Sequence, residues 1–385
     1  MKSGKSGFRL PDKKILVGAV TILSLASYWI ATEQYRTQVK LDTQAGELWD
    51  QGKLKEAAEA YTSAMKVDEA NRSLFLAKRG AVYWEAGDKE KALNDYDEAI
   101  RLDPENGFAY CLRGEAFRQQ DKLKDALKDL NKSIKYFPDY SESYLFRGYT
   151  HAEMDDQKSA ISDYTKALKL GKGNDKSIYS WRAEAYFVNK QYDAAIKDAM
   201  EALKYPEQSP DRYADFLILG KCYIYKKNYT ESIKYCSKAI DLDPERKDGY
   251  LIRPVSFVRI DKMQEALADL SKAISKYPDD AGLWDRRASV YCYMGQYDLA
   301  MKDMKKAISL DRKDEMLLVS RATIHLFFGN NKEALNDYAA ALKVNPDNEY
   351  AKQEMADVKA NKVDADWFRS LGYPITPSAA KRLKH

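Results

Sequence analysis

The chain has 385 residues, 32% of them charged, and a formal net charge of +4. The charged share exceeds the ~25% of an average soluble protein, yet acids and bases alternate along the chain and build no basic stripe for nucleic acid. Cys111, Cys222, Cys236 and Cys292 form no CxxC pair and no metal-ligand spacing, and 3 histidines leave little material for a metal or acid–base centre.

Residues 1–14 carry Lys2, Lys5, Arg9, Lys13 and Lys14 ahead of ILVGAVTILSLASYWIA, an uncharged run over 15–31. As a helix, a run of that length just crosses ~30 Å of hydrocarbon. Tyr28 and Trp29 at its far end suit a membrane interface, and the positive charge ahead of it puts the N-terminus on the cytoplasmic side. The run reads as a single transmembrane signal anchor. Ser24-Leu25-Ala26 offers a small-x-small site, so a cleaved signal peptide stays open as the alternative.

Beyond the anchor the chain repeats itself. DKEKALNDYDEAIRLDP (88–104) returns as DKLKDALKDLNKSIKYFP (121–138), as KMQEALADLSKAISKYP (262–278) and as NKEALNDYAAALKVNP (331–346). A small residue opens each copy at Ala57, Ala92, Ala126, Ala160, Ala195, Ser232, Ala266, Ala300 and Ala334, in steps of 34 to 37 residues. A second one precedes it at Ala45, Gly80, Gly114, Gly148, Ala183, Gly220, Ala288 and Ala322, with Pro254 in the seventh copy.

This pattern resembles the tetratricopeptide repeat (TPR), a pair of antiparallel helices of about 34 residues. The resemblance covers nine copies over residues 38–346 and implies an all-α, right-handed α-solenoid of about nine helix pairs. Residues 347–361 read as a capping helix over its open end, and 362–385 as a C-terminal tail. Gly52, Gly87, Gly295 and Gly329 stand where the first helix (A) turns into the second (B), a place that favours positive φ.

An arginine precedes the small residue of helix A at Arg79, Arg113, Arg147, Arg182, Arg253, Arg287 and Arg321. An aspartate stands sixteen residues later in each case, at Asp95, Asp129, Asp163, Asp198, Asp269, Asp303 and Asp337. The first and sixth copies lose both partners together, having Gln44 with Ala60 and Leu219 with Tyr235. Joint presence and joint loss predict a contact, an ion pair joining helix A to helix B of one repeat. A lone buried charge would cost several kcal/mol, whereas a paired one is tolerated.

The flanks outside the repeats are too short for a catalytic domain, and neither a GxxxxGK[ST] loop nor a nucleophile elbow is present. The expectation is a protein without catalysis, cofactor or metal. His151 and His325 fall at the aromatic position of helix A and read as packing substitutes. Cys222 and Cys236 lie on facing helices of the sixth repeat and read as buried thiols, with a disulfide open in an oxidising compartment.

What remains is surface. In TPR arrays the inner face is lined by the second, fifth, ninth and twelfth positions of helix A. The resemblance places Leu74, Trp84, Phe108, Leu145, Tyr149, Phe187, Leu217, Ile224, Leu251, Val255 and Val258 there, with sparse charges including Glu115, Arg118 and Asp285. An exposed apolar strip of that kind marks a binding groove for a protein or peptide segment. The Lys and Asn set with which some TPR domains grip acidic chaperone tails is absent: Ala77, Ala81, Cys111, Glu115, Leu145 and Tyr149 occupy the corresponding positions. Pro254 removes a helical hydrogen bond and reads as a drifted repeat or as a bend opening the groove between repeats six and seven. In the tail, Trp367, Phe368, Leu371 and Tyr373 fold back on the last helix or serve as a linear motif.

The expected whole is a membrane-anchored scaffold or adaptor holding a partner polypeptide in the groove. Its repeats would lie on the non-cytoplasmic side, periplasmic in a bacterium. A receptor for protein import, its repeats facing the cytosol from an organelle outer membrane, is the alternative, as is an accessory subunit of a large membrane complex.

Overall fold

The computed structural model describes residues 37, 39–171, 177–205, 211–364 and 368, and every regular element among them is a helix. Residues 1–31, read as the basic N-terminus and anchor, lie outside the described residues; among those described, no helix is long and apolar enough to cross a membrane. The helices come in hairpins. The first unit, Met1–Asn174, holds α1 (39–50) with α2 (Leu54–Val67), α3 (Arg72–Glu85) with α4 (Lys89–Leu102), α5 (Gly107–Gln119) with α6 (Leu123–Tyr136), and α7 (Ser141–Glu153) with α8 (Gln157–Leu170). The second, Asp175–His385, holds α9 (Ser177–Val188) with α10 (Tyr192–Ala202), α11 (Arg212–Tyr225) with α12 (Tyr229–Leu242), α13 (Asp248–Arg259) with α14 (Met263–Lys276), α15 (Ala281–Tyr293) with α16 (Tyr297–Leu310), α17 (Glu315–Phe327) with α18 (Asn331–Val344), and a last helix α19 (Glu349–Lys359).

Short polar residues start many of these helices. Asp88 Oδ1 accepts the Lys91 N–H at 3.2 Å, Asn106 Oδ1 the Ala109 N–H at 2.9 Å and Asn228 Oδ1 the Glu231 N–H at 3.2 Å, satisfying donors that the first helical turn leaves open. The A-to-B turn takes one residue into the left-handed region. Gly87 (φ +84°) and Gly329 (+79°) do so without steric cost, while Asp121, Asp155 and Asp261 fill the same role elsewhere.

Close approach within a hairpin explains the small residues of helix A. A Cβ on Gly148 would lie 2.6 Å from Tyr164 Cε1, so α7 and α8 meet only because that atom is missing. In the seventh repeat Pro254 takes this place, buried inside a helix that continues from Asp248 to Arg259.

The core is a chain of local clusters, each shared between neighbouring hairpins, as expected when a repeat touches only its neighbours. Tyr61, Phe75 and Val82 join α2 to α3. Ile240, Tyr250, Leu270, Leu283 and Val290 join α12 through α15. At the C-terminal end Met304, Phe327 and Tyr338 gather around Phe368, which is fully buried and meets Phe327 edge-on with ring centroids 5.4 Å apart. The tail thus returns to the last A helix through Phe368; Trp367, Leu371 and Tyr373 lie outside the described residues.

Candidate partner-binding groove

The seven arginines are structural forks. Arg147 Nε and Nη2 donate to Asp163 Oδ2 and Oδ1 at 2.8 and 2.7 Å, and Arg287 does the same to Asp303 at 2.7 and 2.9 Å. Arg79 with Asp95, Arg113 with Asp129, Arg182 with Asp198, Arg253 with Asp269 and Arg321 with Asp337 repeat the two-point geometry between 2.5 and 3.0 Å. Each carboxylate is buried, and bidentate geometry satisfies it fully. In the sixth repeat Leu219 is buried where the guanidinium would stand, and Tyr235 stacks on Tyr223 at 5.6 Å.

Sequence reasoning missed the third arm of the fork. Nη1 reaches back to the preceding helix B, to Thr62 from Arg79 (2.8 Å), Asp97 from Arg113 (2.6 Å), Asn131 from Arg147 (2.7 Å), Ser237 from Arg253 (2.8 Å) and Ser271 from Arg287 (3.2 Å). The signal was present: each acceptor stands two residues after the aspartate position of the previous copy. One side chain therefore closes its own hairpin and ties it to the one before.

The apolar groove residues do not form one continuous exposed strip. Leu145 and Leu217 are buried and offer almost no surface. Trp84, Phe108, Tyr149, Phe187 and Ile224 are half-buried. Most of these already have partners: Trp84 Nε1 donates to Gln119 Oε1 at 3.0 Å, Phe108 meets Tyr140 at 5.8 Å, and Phe187 lies 6.0 and 5.8 Å from Tyr192 and Tyr225. Leu74 lines a separate cavity of about 370 Å³ between α3 and the turn before α5.

Leu251, Val255 and Val258 are different. They form one wall of a cavity of about 390 Å³ between α13 and α15, closed by Pro254, Leu270, Val290 and Tyr293 and bordered by Arg259, Asp285, Arg286 and Ser289. Gly282 opens the other wall; a Cβ there would meet only Asp280 Oδ1, at 3.3 Å. Pro254 thus adjoins a groove between the seventh and eighth repeats.

Among the described residues no cluster of His, Cys, Asp and Glu has metal-binding geometry. Cys222 and Cys236 are buried free thiols, pushed up to about 12 by burial, far from the thiolate form a nucleophile needs. His325 is buried, its Nδ1 3.0 Å from Tyr297 Oη and its Nε2 3.6 Å from Asp337.

Family models described as TPR or tetratricopeptide repeat match residues 80–120, 111–175, 148–213, 216–246 and 281–314, together just over half of the chain. This is a tetratricopeptide-repeat protein. A model described as anaphase-promoting complex subunit 5 also matches the TPR protein over 313–353. A TPR repeat-containing protein of Methanocaldococcus jannaschii is 37% identical over 62 residues, which are 15% of this chain and 11% of that one; the chain thus matches about a tenth of that relative's length. Similar solved structures include a thermophilic TPR protein of Thermus thermophilus (21% identity, 48% of this chain and 99% of that one, TM-score 0.42). PilF of Pseudomonas aeruginosa (15%, 56% and 96%, 0.49) and the Cut9–Hcn1 hetero-tetramer of the APC/C (14%, 83% and 75%, 0.49) are two others. The TPR framework is a scaffold suited to protein–protein contact.

Proposed function

We propose that this TPR protein is a membrane-anchored scaffold that holds a segment of a partner polypeptide against the inner face of its A helices, without catalysis of its own. The observation that carries the reading is the cavity between α13 and α15. One wall is apolar, from the groove positions Leu251, Val255 and Val258 of α13 with Val290 and Tyr293 of α15 beside them, and the volume of about 390 Å³ suits one or two bulky side chains of a bound segment. The apolar run over 15–31 supports an anchor with the N-terminus in the cytoplasm and the repeats on the opposite side. Crosslinking in the native membrane, followed by mass spectrometry, tests the scaffold role. The wild-type chain should capture a defined protein, and Leu251→Ala with Val258→Ala should lose it while helicity stays unchanged. Equal capture by the double variant would remove the groove from the reading, and protease digestion of intact cells decides the side on which the repeats stand.

A further inference from the structure

Asp285 is the one acidic residue of the cavity lining, which also carries Arg259, Arg286 and Ser289. It occupies the fifth position of its repeat, the place held by Leu145, Leu217 and Leu251 in others. Its Oδ1 is shielded from solvent and accepts no hydrogen bond from the protein, while the carboxyl group takes one from the Ser320 hydroxyl on α17. Arg286 on the same helix and Asp314 ahead of α17 act on it at longer range, and Arg259 from α13 borders the same cavity. Both arginines are exposed, so water screens them, whereas the shielded oxygen sits where a charge-assisted hydrogen bond is strongest. Each of the seven hairpin aspartates has two guanidinium donors, whereas Asp285 lines the cavity with no cation bonded to it and only the Ser320 hydroxyl as donor. A shielded acceptor left open in this way calls for an explanation.

The neighbouring step of the same face shows what kind of side chain it accepts. Between α15 and α17, Phe368 of the chain itself packs edge-on against Phe327 and lines a small recess with Ser289, Tyr293 and Thr323, and Ser289 and Tyr293 are also walls of the open cavity. Apolar walls with a carboxylate among them suit a long aliphatic stem ending in a cation.

Building on the groove reading above, we propose that the cavity between α13 and α15 selects partner segments that present a lysine or arginine beside a bulky apolar residue. The cation pairs with the Asp285 carboxylate in the cavity wall, and the apolar side chain packs on Leu251, Val255 and Val258.

The test uses the purified full chain and a phage-displayed library of random twelve-residue peptides. The strongest selected peptide is then made with a fluorescent label and titrated by anisotropy. Enriched peptides should share a Lys or Arg next to a bulky apolar residue. Replacing that basic residue with Gln should weaken binding at least about tenfold, and so should Asp285→Asn. The two changes together should cost little more than either alone, as expected of groups in direct contact. Asp285→Asn should melt no lower than the wild type, so that the loss is not one of folding. Acidic or uncharged consensus peptides, or an unchanged affinity for Asp285→Asn, would overturn the assignment. If Leu251→Ala weakens binding and Asp285→Asn does not, only the cation subsite fails. If neither variant matters, or no peptide is selected, the groove reading fails with it.

Discussion

On the inner face of the first unit the polar groups answer one another. Arg118 donates to Glu115 at 2.7 Å and to Glu153, and its guanidinium also lies 5.4 Å from the Tyr149 ring centre; Trp84 is tied to Gln119. On the inner face of the second unit, α13 and α15 enclose a cavity with an open carboxylate oxygen, and Gly282 leaves its wall uncovered. The same helical register yields both. It fixes where a side chain emerges, while the neighbouring helix decides whether that side chain is covered, paired or left facing outward.

The largest expected effect separates an answered carboxylate from an open one. Asp303→Ala strands the Arg287 guanidinium inside the α15–α16 hairpin and should lower unfolding free energy by about 3–5 kcal/mol. Asp285→Ala, on the same helix as Arg287, loses only the bond from Ser320 and should cost about 1 kcal/mol or less. Replacing both members of the fork with the sixth repeat's solution, Arg287→Leu with Asp303→Tyr, should recover most of the loss. Urea denaturation of the three variants reads all of this, and equal losses for Asp303→Ala and Asp285→Ala would erase the distinction.

Two glycines sharpen the comparison at smaller magnitude. In the first unit Gly148→Ala drives a methyl group into Tyr164, at a cost of about 1–3 kcal/mol. In the second, Gly282→Ala meets open space apart from Asp280 and should be neutral or stabilising by up to about 1 kcal/mol. Thermal melts that rank these two in the opposite order would mean that the tight and open places have been exchanged.

The smallest effect is a pH dependence. Burial, aided by Arg321, holds His325 below the usual imidazole value against the opposing pull of Asp337 and Glu333. The unfolded chain therefore binds the proton more tightly, so stability from neutral His325 is present above about pH 6.5 and is lost as pH falls below it. Denaturation midpoints at pH 7.5 and 5.5 should differ less in His325→Gln than in the wild type; an identical difference would show that His325 does not contribute.

Much of the framework could be read from the sequence because a strict period states each feature many times. The turn glycines, the close contact at Gly148 and the fork partners each recur at a fixed offset, and the joint loss at Leu219 and Tyr235 served as a control inside the chain. The third arm of the fork escaped because its acceptor varies among Thr, Asp, Asn and Ser, a class rather than a residue. The groove was legible only in part. Leu145, Leu217 and Leu251 share one register position, yet two are buried and one lines a cavity to which Gly282 brings no side chain. Exposure depends on the neighbour's side chains, which the residue's own pattern does not contain. The open acceptor on Asp285 is of the same kind: it follows from what α13 and α17 place around it.

Titrating the library-selected peptide into the full chain and its Gly282→Phe variant tests the groove most directly, since that substitution fills the cavity mouth from an exposed helical position. Affinity should fall more than tenfold with the helical melt unchanged. An undiminished affinity would contradict the account, because the segment would then be bound somewhere other than between α13 and α15.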